Sequence, residues 1–115
     1  MPAVGLKRVY EPRARGEGYR VLVDRVWPRG VSKEKAGVDR WAKELAPSTD
    51  LRKWFGHDPA RWREFQSRYR RELEASADAL TELRARCKRQ RVTLVYSAKD
   101  ERHNQAVVLR ELLQR

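Results

Sequence analysis

A chain of 115 residues is long enough for one domain that buries about two-thirds of its unfolded surface, and its single cysteine excludes an intramolecular disulfide framework. A mean hydropathy of −0.89, with no apolar run near the roughly 20 residues that cross a bilayer, excludes a spanning helix and a membrane partner. The formal charge of +11, from 27 Lys plus Arg against 16 Asp plus Glu, directs attention to anionic partners.

In chain order, the amino-terminal MPAVGLKRVY lacks the apolar h-region of a secretory leader, so a cytoplasmic protein is expected. VGLKRVY (4–10) and YRVLVDRVW (19–27) read as strands, rich in Val, Leu and Tyr. The turn-like EPRARGEG between them suits a hairpin or a reduced crossover better than a helical connection, leaving the relative strand direction open. Ser32 can cap a short turn, and Val38, Trp41, Ala42 and Leu45 follow helical spacing up to Ala46, Pro47 and Ser48.

Ser48 is placed to cap a helix carrying Leu51, Trp54 and Phe55, with Gly56 closing it. Asp58 caps the next helix, whose Pro59 takes the first-turn position and whose Trp62, Phe65, Tyr69 and Leu73 form an apolar stripe. Leu80, Leu83 and Cys87 continue the pattern after a break near Ser76. VTLVYSA (92–98) is then a continuous apolar strand, and Ala106, Leu109, Leu112 and Leu113 mark a closing helix. Strands at both ends with helices between indicate an α/β fold, a single compact domain over residues 1–115 with a short sheet of about three or more strands covered by helices.

Two strand ends are unusually polar, and ligands of open α/β sheets gather at such carboxyl ends. The first runs from Asp24 through Arg25, Trp27 and Arg29 to Gly30; the second offers Ser97, Lys99, Asp100, His103 and Asn104. An ionised group buried without a partner costs several kcal/mol, so about this much must be recovered by pairing, by water or by a ligand.

RVLVDRVWPRGVSKEK, LAPSTDLRKWFGHDP, WREFQSRYRREL and VTLVYSAKDERHNQAVVLRELL together strongly resemble the YeaO-like family, a domain of unknown function in prokaryotes, over roughly Leu6 to Leu113. The resemblance implies a compact α/β domain with a short sheet and supplies no substrate, reaction or cofactor. Wider relatives look similar in having an Asp-x-Arg-like element after one strand, here Asp24 and Arg25 with their neighbours, and a second polar element after the last. They often have cysteines at that second element; this chain has none there, a departure from the thiol chemistry that the wider resemblance would imply.

Each candidate has two readings. Arg25 and Arg29 can clamp a phosphate or carboxylate, or Arg25 can pair with Asp24 or Asp100 while Arg29 lies on the surface. Gly30 can let backbone approach a ligand or shape a turn with Pro28, and Trp27 can stack on a base or pack in the core. Asp100 reads first as the cap of the last helix and second as a general base. His103, placed in the first turn of that helix beside Asn104, is the better acid–base candidate because imidazole titrates near pH 6.5. Cys87, flanked by Arg86 and Lys88, is either an activated thiol or a small core residue.

No Cys or His pair has zinc spacing, and the chain has no G-x-S-x-G elbow around Ser97, no phosphate-binding P-loop and no G-x-G-x-x-G. A helix-turn-helix over residues 58–75 is disfavoured because its five arginines face four acids and its aromatic stripe should be buried. Three functions are carried forward. The first is binding of a small anion, the phosphate of a nucleotide or related metabolite, through Asp24, Arg25, Trp27, Arg29, Gly30, Ser97, Lys99, Asn104 and a helix N-terminus. The second is hydrolysis or group transfer in the same pocket with His103 or Asp100 as acid or base. The third is nucleic-acid binding or regulation by the basic run Arg84, Arg86, Lys88, Arg89 and Arg91.

Overall fold

The computed structural model describes residues 4–115. Four strands, β1 (Val4–Arg8), β2 (Tyr19–Leu22), β3 (Arg40–Trp41) and β4 (Val92–Tyr96), form one parallel sheet in the order β1-β4-β2-β3. The last strand in sequence is thus slotted between the first two. Its five residues are all buried, as the unbroken apolar run VTLVY requires of a central parallel strand. Register places Leu94 between Leu6 of β1 and Val21 of β2.

Alternation along the strands builds two cores. Val21, Val23 and Leu94 face the larger one, which they share with Phe55 of α2 (Thr49–Phe55), Phe65 and Tyr69 of α3 (Trp62–Leu73), Leu83 of α4 (Ala77–Arg89) and Leu109 of α5 (Gln105–Leu113). Leu22 and Val95 point the other way, to Val9, to Ala36 of the one-turn α1 (Lys33–Ala36) and to Trp27, Val31, Val38 and Trp41. The expected cap of α2 forms, with Ser48 Oγ accepting from the Leu51 amide at 3.1 Å and Gly56 ending the helix in the left-handed region, whereas Asp58 accepts from the Ala60 amide at 3.0 Å and caps a 3-10 turn over Pro59–Arg61 that leads into α3. The break near Ser76 is a 3-10 turn over Glu74–Ser76. Among the described residues no helix is long and apolar enough to cross a membrane.

One expectation changes, and one left open is decided. The spacing of Val38, Trp41, Ala42 and Leu45 is not one helical stripe: Val38 and Trp41 pack into the smaller core, Ala42 and Leu45 into the larger. Residues 40–41 pair with β2 instead, and only Lys43–Leu45 winds into a 3-10 turn. The connection after β1 is a crossover, since β1 and β2 both run parallel to β4. It holds no helix.

Glu17 fixes this crossover. Its carboxylate pairs with Lys7 of β1 and with Arg20 of β2, the latter at 2.5 Å, and accepts from the Ala14 amide at 2.8 Å, while its carbonyl accepts from Thr93 Oγ1 of β4 at 2.7 Å. Arg20 is fully buried and also donates to the Ala36 carbonyl at 2.8 Å. Next to it, Gly18 lies so close to Arg91 that a Cβ would stand 2.2 Å from the Arg91 carbonyl oxygen, and φ is +70°. Only glycine fits there.

Burial would raise the Glu17 pKa, but the bonds from Lys7, Arg20 and Ala14 outweigh it and lower the carboxyl from 4.5 to about 2. A depressed folded-state pKa contributes stability that is present above pH 4.5 and lost as the pH falls toward 2. The gap corresponds to about 3 kcal/mol. Glu17→Gln should therefore lose about 3–5 kcal/mol at pH 7, because Arg20 is left buried and unpaired, and its stability should decline less between pH 5 and 2 than the wild type's. Urea unfolding across that range checks both; equal stability at pH 7 would remove Glu17 from this role.

Candidate functional site

All four strands end on one side, and the two polar segments read from the sequence meet there because β2 and β4 are neighbours. Between them, α2 and Tyr10 beyond β1 lies a cleft of about 790 Å³, inside the range of roughly 300–1,000 Å³ typical of ligand pockets. Phe55 and Phe65, buried and stacked with ring centroids 4.4 Å apart, line its inner side.

Asp24 ties the cleft together. It is only 8% exposed, and its carboxylate accepts from the Ser97 amide at 3.1 Å and from Gln105 Nε2 at 2.7 Å. Burial pushes its pKa above 3.8, against hydrogen bonds from Ser97, the charge of Arg52 and the bond from Gln105. Arg25 pairs with neither Asp24 nor Asp100. Its Nε donates to the Pro47 carbonyl at 2.9 Å and its Nη2 to that of Ala46 at 3.4 Å, so it braces the approach to α2. Arg29 stands exposed on the wall. The expected clamp is thus one anchored and one open arginine.

Other candidates have structural work. Trp27 borders the cleft, yet its indole donates to the Val31 carbonyl at 2.6 Å and its ring meets Trp41 edge-on at 5.3 Å, which is the core reading. Gly30 does not line the cleft; its φ of +77° makes it a turn residue with open space around it. The cap of α5 is Asn104, not Asp100: Asn104 Oδ1 accepts from Ala106 and Val107 amides at 2.9 and 3.2 Å, and its Nδ2 donates to the Asp100 carbonyl. Both acceptor positions of Oδ1 serve the cap, one Nδ2 hydrogen remains on an almost fully buried side chain, and the same capping satisfies two amides of the helix N-terminus that was expected to receive an anion.

Asp100 instead organises the turn before α5. Its Oδ1 accepts from the amides of Arg102 and His103 at 2.9 and 3.0 Å, and its Oδ2 lies 2.8 Å from His103 Nδ1. The Arg102 amide and the His103 ring hold its carboxyl below 3.8, so Asp100 is ionised near neutrality and Nδ1 carries the shared proton. His103 precedes α5, where its ring also meets Trp62 edge-on at 5.3 Å. Ser97 contributes its amide to Asp24 and its carbonyl to Arg8. Lys99 is exposed on the cleft wall.

The sequence reading missed Tyr10, Arg52, Lys53 and Gln105 as cleft residues and gave His57 no part in it. Arg52 and Lys53 lie between the buried Leu51 and Phe55 of α2, a phase that marks them as exposed while their direction depends on how α2 docks. Arg25, Arg29, Arg52, Lys53 and Lys99 all line the cleft, and none enters an ion pair among the described residues. Among the same residues no three His, Cys, Asp or Glu side chains gather as a metal site. The arrangement can hold an anion.

The basic run lies beyond the opposite ends of the strands, since Arg91 precedes β4. Arg84 donates to the Leu112 carbonyl, Arg86 lies 4.1 Å over the Tyr19 ring, and the Arg91 side chain lies over Gly5. Lys88 and Arg89 are exposed. Cys87 is buried, and burial pushes its thiol pKa up, which makes it a core residue.

A family model described as the inactive DUF488-N3 subclade matches residues 3–115. The chain is 43% identical over 107 residues to the uncharacterized protein YeaO of Escherichia coli (strain K12), covering 93% of each. It is 46% identical over 110 residues to the uncharacterized proteins Rv3073c of Mycobacterium tuberculosis and Mb3100c of Mycobacterium bovis, covering 96% of this chain and 92% of each relative. No solved structure matches it.

Asp24→Ala should leave the Ser97 amide without its acceptor and Gln105 Nε2 with only the Val23 carbonyl, at 3.3 Å. Each unsatisfied donor costs about 1–3 kcal/mol, partly offset by removing a buried carboxylate, so a net loss of about 2 kcal/mol is expected in urea unfolding at pH 7. Asp24→Asn, which keeps one acceptor oxygen, should lose less. A raised folded-state pKa contributes most below the unfolded value and loses its effect as pH rises through the folded one, the opposite sign to Glu17. An Asp24→Ala protein as stable as wild type would show that this tie does not hold the cleft.

Proposed function

Because the chain belongs to the YeaO-like family, described as the inactive DUF488-N3 subclade, we propose that it is a ligand-binding domain that holds a small phosphate-bearing molecule in the cleft at the strand ends. The observation that carries this reading is the set of five cations lining one cleft without an acidic partner, Arg25, Arg29, Arg52, Lys53 and Lys99. The two carboxylates there, Asp24 and Asp100, are already hydrogen-bonded within the protein. Five cations against these two carboxylates leave the cleft with an excess of positive charge, and a bound anion offsets the repulsion within it.

Turnover by His103 and Asp100 is a second reading, favoured by their 2.8 Å contact. The family description as inactive and the absence of cysteine from the second polar segment weigh toward binding. Nucleic-acid binding by residues 84–91 draws less support, because Arg84, Arg86 and Arg91 already have partners within the fold.

Thermal unfolding with inorganic phosphate, pyrophosphate, phosphorylated metabolites and short DNA, at low and high salt, tests these readings. A phosphate compound at about 100 times its Kd should stabilise the protein by about 2.7 kcal/mol, a shift on the order of 10 °C. Arg52→Gln with Lys99→Gln should abolish the shift. A shift with DNA alone that falls steeply with salt and survives those substitutions would transfer the function to the basic end of the sheet. Product formation lost in His103→Asn with binding kept would make the cleft catalytic.

A further inference from the structure

The two large apolar side chains most exposed among the described residues, Tyr10 at 47% and Val26 at 59%, both line the cleft. Exposed apolar residues scattered singly need no explanation, but two on one concave surface beside unpaired cations form a mixed binding surface. A bare phosphate would use only the charged part of it and a small share of the 790 Å³.

Tyr10 is also held in place. Its hydroxyl donates to the Arg29 carbonyl at 3.3 Å, and the Arg8 guanidinium lies 5.0 Å from the ring centroid. Arg8 is itself anchored, donating to the Ala98 and Ser97 carbonyls at 3.0 and 3.1 Å. The ring is therefore backed by a fixed cation while remaining half exposed. Fixing a side chain before binding reduces the ordering cost on association, and a flat π-face accepts another ring by stacking.

We propose that the ligand is a mononucleotide, its base laid on Tyr10 beside Val26 and its phosphate directed to Arg52, Lys53 and Lys99. The proposal rests on the anion-binding reading above and adds the ring to it. Tyr10 thus takes the stacking role that the sequence offered to Trp27, whose ring is engaged by Trp41. Base–aromatic stacking corresponds to about 5- to 100-fold in affinity and tolerates different bases.

Titration calorimetry with AMP, GMP, CMP and UMP, with glycerol phosphate and inorganic phosphate as ringless probes, separates the two layers. At least one mononucleotide should bind about 5- to 100-fold more tightly than either ringless probe. Tyr10→Ala should remove that advantage and leave inorganic phosphate binding unchanged, Tyr10→Phe, which keeps the ring but loses the hydroxyl anchor, should keep the larger part of it, and Arg52→Gln with Lys99→Gln should weaken every probe. Equal binding of nucleotides and glycerol phosphate, or a Tyr10→Ala protein that keeps its preference, overturns the ring while leaving the anion site standing. Binding of no probe, with no effect of the cation substitutions, overturns both.

Discussion

The fold depends on the ion pair between Glu17 and the buried guanidinium of Arg20. A parallel connection ordinarily needs a helix to cover the sheet on its way back, yet residues 9–18 cross from β1 to β2 without one. Arg20 takes the place of an apolar residue under that loop, and a buried cation is tolerated only with a counter-charge. Glu17 supplies it and also ties the loop to Lys7 on β1 and Thr93 on β4. The compensation is incomplete, because Arg20 Nε has no hydrogen-bond partner among the described residues. Through this hub a loop holds three strands, and the last strand in sequence finds its slot between the first two.

The position of the cleft follows from that slot. With β4 between β1 and β2, the residues that leave these strands meet at one edge: Tyr10, then Ser97 to Asp100, then Asp24 to Arg29. Asp24 joins two of the three segments to α5, through Ser97 and Gln105. The two buried carboxylates differ in what surrounds them. Two cations hold Glu17 ionised, whereas Asp24 has only hydrogen-bond donors at contact distance, with the charge of Arg52 further off, and burial raises its pKa. One secures the start of the sheet, the other the cleft at its carboxyl end.

Much of this was legible in the residues. Ser48, Gly56, Asp58 and Pro59 identify ends of helices and turns through local chemistry, and the continuous apolar run VTLVY identifies a strand, whose burial on both faces the parallel sheet explains. The two polar strand ends were visible as charge where apolar residues stop. What the sequence could not disclose depends on tertiary placement. Val38, Trp41, Ala42 and Leu45 have helical spacing, yet they belong to two faces of a strand and turn that pack into different cores. Asp100 and Asn104 both have the chemistry of a cap, and only the path of the backbone assigns the cap to Asn104. Arg52, Lys53 and Tyr10 lie far in sequence from the polar strand ends, so their convergence requires the strand order.

The same hydrogen bonds that build the cleft weigh on what chemistry it supports. A general acid must hold a proton to give, and Asp100, kept below the ordinary carboxylate range by the Arg102 amide and the His103 ring, holds none near neutrality. A general base must reach a substrate proton, yet both Asp100 oxygens and both Asp24 oxygens already accept from within the protein. His103 has its Nδ1 on Asp100, which fixes the ring and leaves Nε2 as its one remaining valence. With Nδ1 donating to Asp100, Nε2 of the neutral ring is an acceptor fixed in direction. The cations show the opposite pattern, for Arg29, Arg52, Lys53 and Lys99 lie exposed and outside any ion pair among the described residues. The carboxylates are thus engaged within the protein, His103 keeps Nε2 open, and four cations lie open beside it, so most of the cleft's free groups are suited to holding negative charge.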